Sequence, residues 1–154
     1  MQSPKEHRRE DRYDAEKDLM ERRDKLAEFL SDEWFARVEE LTKTAGDIEI
    51  SKAMKAVVVN LTVLSDRGDA EMCLDRGIIK KGHISPADVQ MSMPADYAYK
   101  LLVAGDWSVG MKGYIARKIK VSGNMKKLIP LQLYKPSADQ ENLRKEIEKI
   151  TERV

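Results

Sequence analysis

Asp88-Val89-Gln90-Met91-Ser92-Met93-Pro94-Ala95-Asp96-Tyr97 carries the change of period on which the fold turns. Val89, Met91 and Met93 alternate with Gln90 and Ser92, the pattern of a strand with one dry face. Pro94 then suits the first turn of a helix, where its missing N–H costs nothing. Tyr97, Leu101 and Leu102 turn inward on that helix, and Gly105 closes it. Upstream, Val57, Val59, Leu61 and Val63 alternate with Val58, Asn60, Thr62 and Leu64 in a β-branched run that reads as a strand. Asp66-Arg67-Gly68-Asp69 turns into a second strand, with Met72 and Leu74 inward and Glu71 and Cys73 outward. Asp75-Arg76-Gly77 turns again into Ile78 to Ile84, which completes a meander. Downstream, Trp107 to Ile115 is a short helical stretch, and Arg117 to Ser122 is a last strand with Ile119 and Val121 inward. Met125 to Tyr134 contains Pro130 and is expected to be a short or broken helix.

The ends of the chain read differently. Met1 to Leu30 is a charged, helical lead-in with Asp18 and Arg22, and Glu21 and Lys25, spaced for i,i+4 pairing; its thin apolar stripe ends in Leu26, Phe29 and Leu30. Residues 1–25 form an extension, helical or partly disordered. Ser31 is an N-cap for a helix that places Trp34, Val38 and Leu41 on one face and stops at Gly46. Ser137-x-x-Gln140 is a capping box, and Leu143, Ile147, Ile150 and Val154 stripe a final amphipathic helix within 135–154.

Composition narrows the function. A chain of 154 residues, 42% apolar and 36% charged, suits one core, and it has no apolar run near the roughly 20 residues of a membrane-spanning helix. The charged start lacks the apolar block of a secretory signal, so the expected compartment is the cytoplasm. The single Cys73 excludes an internal disulfide. His7 and His83 lack partners at metal-ligand spacing, and Cys73 lies beside Glu71 and Asp75, which disfavour a thiolate. No catalytic residue, metal or cofactor is expected, and the chain is not expected to be an enzyme. Residues 1–50 carry 15 acidic and 10 basic side chains, whereas Trp107 to Ala138 has seven Lys or Arg and no acid. That positive segment does not interleave with stacking aromatics, so nucleic acid is not the expected partner. Met91, Met93, Met111 and Met125 add soft apolar volume that either lines a pocket or fills an irregular core.

The order of these segments resembles the sterol carrier protein type two family. Asp88 to Tyr97, then Leu101-Leu102 and Gly105-Asp106, is similar to the family's strand, its helix with Asp-aromatic, and the glycine that closes it. Lys118-Ile119-Lys120-Val121-Ser122-Gly123-Asn124-Met125 resembles its Lys-Leu-Lys-Ile-x-Gly-Asn-Met block, and Phe29-Leu30-Ser31-Asp32-Glu33-Trp34 resembles the first helix of prokaryotic members. Arg117 stands where the family usually has Gly, and Met93 where a Ser or Thr cap is common. The likeness spans about residues 26–134. It implies an α+β fold, a five-stranded mainly antiparallel sheet with helices on one face enclosing an apolar tunnel, flanked by N- and C-terminal helical extensions.

The tunnel residues implied by the likeness are Val59, Leu61, Met91 and Met93, then Tyr97 and Leu101, then Trp107, Val109, Met111, Tyr114 and Ile115. Ile119, Val121, Met125, Leu128 and Ile129 complete the set, with Lys112, Arg117, Lys126 or Lys127 to meet a ligand's head group. The expected function is carriage of a fatty acid, fatty acyl-CoA or sterol-like ligand, with at most transient contact with a membrane surface. The alternative is an accessory or dimerisation module, its terminal helices binding a second copy or a partner protein.

Overall fold

The computed structural model describes residues 26–133 and 135–153, in the order strand, helix, short helix, three strands, strand, two helices, strand, broken helix, helix, strand. β1 is Ala27–Glu28 and α1 is Asp32–Ala45, followed by the short α2, Lys52–Lys55. β2 (Val58–Leu64), β3 (Ala70–Asp75) and β4 (Ile78–Lys81) form an antiparallel meander. β5 (Val89–Pro94) returns to lie parallel to β2, and β6 (Lys120–Gly123) pairs antiparallel with β5, giving the sheet order β4-β3-β2-β5-β6. Between β5 and β6 lie α3 (Ala95–Leu102) and α4 (Ser108–Ile115). After β6 come α5 (Met125–Leu128), a 3-10 turn (Ile129–Leu133) and α6 (Ala138–Ile150), and β7 (Thr151–Glu152) ends the described chain. The architecture is α+β with a five-stranded sheet, mixed because β2 and β5 are parallel.

Register puts the apolar side chains in rows across the sheet. Leu74, Val59 and Val89 form one row, Met72, Leu61, Met91 and Val121 the next, and Val63 and Met93 a third. Each strand therefore turns the same face toward the helices, as the alternation predicts.

One end of this face is sealed by α1. Ser31 caps it by accepting the Trp34 N–H at 3.1 Å, and its buried residues are Trp34, Phe35 and Val38. Phe29, Trp34 and Phe35 meet edge to face with centroids 5.1 and 5.0 Å apart, and Tyr99 of α3 joins Phe29 at 5.7 Å. α6 packs beside α1, its capping box intact, and Gln140 and Asp139 accept the N–H groups of Ser51 and Glu49. β7 pairs in parallel with β1, Ala27 opposite Thr151. The Trp34 Nε1–H donates to Thr151 Oγ1 at 2.8 Å in a fully buried bond that joins the two ends of the described chain.

Four expectations change. Leu26 to Leu30 is not helical: it is a strand and a turn, with Leu30 at φ 72°, because β7 supplies Ala27 and Glu28 with a strand partner. The rest of the N-terminal lead-in lies outside the described residues. Cys73 is buried rather than outward-facing, since the 82–88 loop folds under that side of the sheet, where Asn60 exchanges two 2.9 Å bonds with the backbone of Ile84. β4 stops at Lys81 rather than Ile84, and β6 begins at Lys120 rather than Arg117, because the preceding residues cap α4.

Trp34→Ala is expected to cost about 3–5 kcal/mol. Thr151→Val, which leaves the buried indole N–H without an acceptor, should cost about 1–3 kcal/mol. Urea unfolding followed by circular dichroism checks both.

Candidate functional site

The other end of the sheet face is roofed by α3, α4 and α5, and there the layers do not close. A cavity of about 280 Å³ lies between them. Its floor is Val59, Leu61, Leu74, Met91, Met93 and Val121, with Ile119 at the entry to β6. Its roof is Leu101 and Leu102 of α3, Trp107, Gly110, Met111 and Tyr114 along α4, and Met125, Leu128 and Leu131 behind them. Met54 of α2 closes the remaining side. Among the described residues, no Asp, Glu, Lys, Arg or His lines it. A smaller cavity of about 80 Å³ under α6 shares Met54, Leu74, Leu102 and Trp107 with the larger one. Its far side is polar: Arg144 bonds the Glu141 carboxylate at 3.1 Å and the Val103 carbonyl at 2.6 Å, and the Glu141 hydrogen bond holds its pKa above the ordinary guanidinium value.

Of the expected tunnel residues, those from β2, β5 and the β6 strand come together as the floor, and Leu101, Trp107, Met111, Tyr114, Met125 and Leu128 as the roof. Tyr97, Val109, Ile115 and Ile129 do not line the cavity. Tyr97 is partly buried against the core beside Gly113 of α4, and Val109 is on the buried far side of α4. Ile115 and Ile129 are 73% and 60% exposed, the first as the last residue of α4 and the second as the residue after α5. Sequence reasoning left out Met54, Leu74, Leu102, Gly110 and Leu131. Leu74 and Leu102 already read as inward, and Leu131 belonged to the apolar 125–134 run. Met54 sits on a four-residue helix with too few turns for periodicity, and Gly110 has no side chain to announce itself.

None of the head-group candidates borders the cavity. Lys112, Arg117 and Lys126 are exposed, and Lys127 is held by Asp88, its Nζ donating to Oδ1 at 2.9 Å. Asp88 is the fastener of this end. Its other oxygen accepts the Val58 N–H at 2.8 Å, its own N–H donates to Val58, and its carbonyl accepts the Asn124 N–H at 2.8 Å. One residue thus ties β2, β5 and α5 together, and these hydrogen bonds, Lys127 first, hold its carboxyl below the ordinary range. Gly123 is needed at the same spot: a Cβ there would stand 2.5 Å from the Asp88 carbonyl oxygen, at φ 107°.

Arg117 occupies the left-handed position after α4, at φ 60°. Its N–H bonds Tyr114 O at 3.1 Å and the Lys118 N–H bonds Gly113 O at 2.8 Å, the paired bonds of a Schellman close, where glycine fits without strain. Cys73 has its pKa raised, first by burial and then by the Asp75 charge, so its thiol stays protonated at neutral pH. Among the described residues no group of three His, Cys, Asp or Glu is placed to hold a metal, and no helix is long and apolar enough to cross a membrane.

Comparison with solved structures gives several matches to sterol carrier protein 2 and proteins like it. The chain is similar to sterol carrier protein 2. Sterol carrier protein 2 from Yarrowia lipolytica, in its apo form, is 21% identical, with 80% of this chain and 86% of that one covered and a TM-score of 0.43. Sterol carrier protein 2 like 2 from Aedes aegypti is 16% identical over 66% of this chain and 96% of that one, TM-score 0.43. A protein from Thermus thermophilus described as possibly a sterol carrier protein is 14% identical over 80% and 90%, TM-score 0.39. No family model and no curated protein matches.

Two outcomes are expected. Arg117→Gly should stabilise the fold by about 1 kcal/mol in chemical denaturation, since it removes a left-handed non-glycine residue. Asp88 has a lowered folded pKa, so its contribution is complete above the ordinary carboxylate value and is lost as pH falls through the depressed one. Acid titration of stability should therefore show a decline below about pH 4, and the decline should be shallower in Asp88→Asn, which is also less stable at pH 7.

Proposed function

We propose that this chain binds and carries an apolar, lipid-like ligand in the larger cavity and catalyses no reaction. The observation that carries the reading is the cavity itself: about 280 Å³ bounded by aliphatic, methionine and aromatic side chains, with no Asp, Glu, Lys, Arg or His among the described residues of its wall. Apart from the Tyr114 hydroxyl such a wall offers no group to move a proton or attack a bond, whereas it removes a hydrocarbon from water. The space is about twice the roughly 150 Å³ apolar cavity that admits benzene, so a chain of around ten to twelve carbons is in proportion. At about 0.8 kcal/mol per buried methylene, such a chain contributes roughly 8–10 kcal/mol of transfer free energy, which exceeds the low end of the association cost. Met54, Met91, Met93, Met111 and Met125 supply a wall that adjusts to a flexible guest. The palmitated form of SCP2L2 from Aedes aegypti is among the similar solved structures.

Gly110 offers a clean test, because a Cβ built there meets only Leu101 Cδ2 at 3.5 Å, an ordinary contact, and the position faces the cavity. Gly110→Phe is expected to fill the space, keep or raise the unfolding temperature, and lower the affinity for a fluorescent fatty acid by about a hundredfold. Wild-type protein that takes up no fatty acid, or a Gly110→Phe variant that takes it up unchanged, contradicts the carrier reading.

A further inference from the structure

Among the described residues, the wall of the larger cavity holds no charged group for a ligand's head to meet. The smaller cavity under α6 differs in this respect, and it is a neighbour: Met54, Leu74, Leu102 and Trp107 belong to both walls. Its polar lining comes from Thr42, Gln140, Glu141 and Arg144. Arg144 is the centre of this group. Its side chain is only 16% exposed, and its guanidinium is fixed from several directions. Nη1 donates to the Val103 carbonyl at 2.6 Å, while Nε and Nη2 each donate to the Glu141 carboxylate at 3.1 Å. Glu148 places a second carboxylate oxygen 3.5 Å from Nη1. Gly105 makes room for the guanidinium, since a Cβ there would stand 2.7 Å from Nε.

These contacts leave some hydrogen-bonding capacity unused. A guanidinium has five N–H groups, and one on Nη2 has no acceptor among the described residues. Gln140 spends its oxygen on the Ser51 and Ser137 N–H groups, and its amide nitrogen has no acceptor among the described residues. Thr42 Oγ1 donates to the Val38 carbonyl at 2.8 Å and keeps its lone pairs free to accept. The charge balance is the deciding feature, because one arginine faces two glutamates and no Lys or His lines the space among the described residues. An ionised carboxylate or phosphate would have to displace Glu141 and would meet like charge. A hydroxyl accepts from Arg144 or Gln140, donates to Glu141 and brings no charge of its own.

From this arrangement we infer that the smaller cavity is a head-group subsite in which Arg144 and Glu141 read a neutral hydroxyl, the ligand's chain lying in the larger cavity. The inference rests on the carrier reading and adds the class of ligand, a long-chain alcohol or other lipid with a free hydroxyl, taken in preference to a fatty acid. Met54 stands between the two spaces, and its unbranched thioether side chain can shift to let a guest span them.

The experiment is competition of dodecan-1-ol and of dodecanoate against a fluorescent fatty acid at pH 8, on the full chain and on two variants. Dodecanol should compete at least about tenfold better with the wild type, as a hydrogen bond to a charged group allows. Glu141→Gln with Glu148→Gln leaves Arg144 an unopposed cation and should move the ratio about tenfold or more toward dodecanoate. Arg144→Met, which keeps an apolar stem, should weaken dodecanol about tenfold. Should Arg144→Met fail to fold, the glutamate substitutions decide alone. A ratio that the glutamate substitutions leave unchanged overturns the inference while the carrier reading stands, and so does a crystal of the dodecanol complex with its oxygen away from Arg144. Wild-type protein that takes up neither the competitors nor the fluorescent fatty acid sinks both together.

Discussion

One face of the five-stranded sheet is covered by side chains of two different kinds, and the cavity exists because of that difference. At the α1 end stand both phenylalanines of the chain with Trp34, interlocked edge to face and buried. Rigid aromatic rings fill that end to interior density and fix the distance between sheet and helices. At the α3–α4–α5 end the roof is made of methionines, leucines, a glycine and the half-exposed Trp107 and Tyr114, which do not reach across it. The layers are held apart by one half of the core and left unfilled in the other.

Holding the open half in place falls to polar groups, since its packing is incomplete. Asp88 binds the backbone of β2 and the side chain of α5, and its carbonyl sits where only glycine at position 123 leaves room. The closed half is locked by the Trp34–Thr151 bond and the pairing of β1 with β7, so that α6 belongs to the same packed unit as the sheet. The cavity is framed by hydrogen bonds at one end and by ring packing at the other. An apolar space can persist in such a frame because its wall is mostly apolar and offers water few partners.

Much of this was legible in the residues. The alternation of 57–64, 71–75 and 88–93 identifies the strands and their dry faces, and the Ser31 and Ser137 caps place both long helices. Pattern could not reveal the short β1–β7 pair, because two residues carry no periodicity and their partners are more than a hundred positions apart. Cys73 misled for a related reason: alternation names the side of a strand, whereas the loop that buries that side is a tertiary event. The floor of the candidate site could be read, since strand register transmits one residue's orientation to its neighbours. The roof could be read only in part, because helices of eight residues and fewer leave the angle of each side chain to packing, as Val109, Ile115 and Ile129 show.

Diffraction from a crystal of the ligand-free protein under xenon pressure addresses the dry, open space directly, since xenon enters apolar cavities and avoids filled or hydrated ones. The account predicts xenon density enclosed by Met91, Leu101, Met111 and Val121. Side chains collapsed across that volume with no xenon among them, or ordered water in its place, would contradict it.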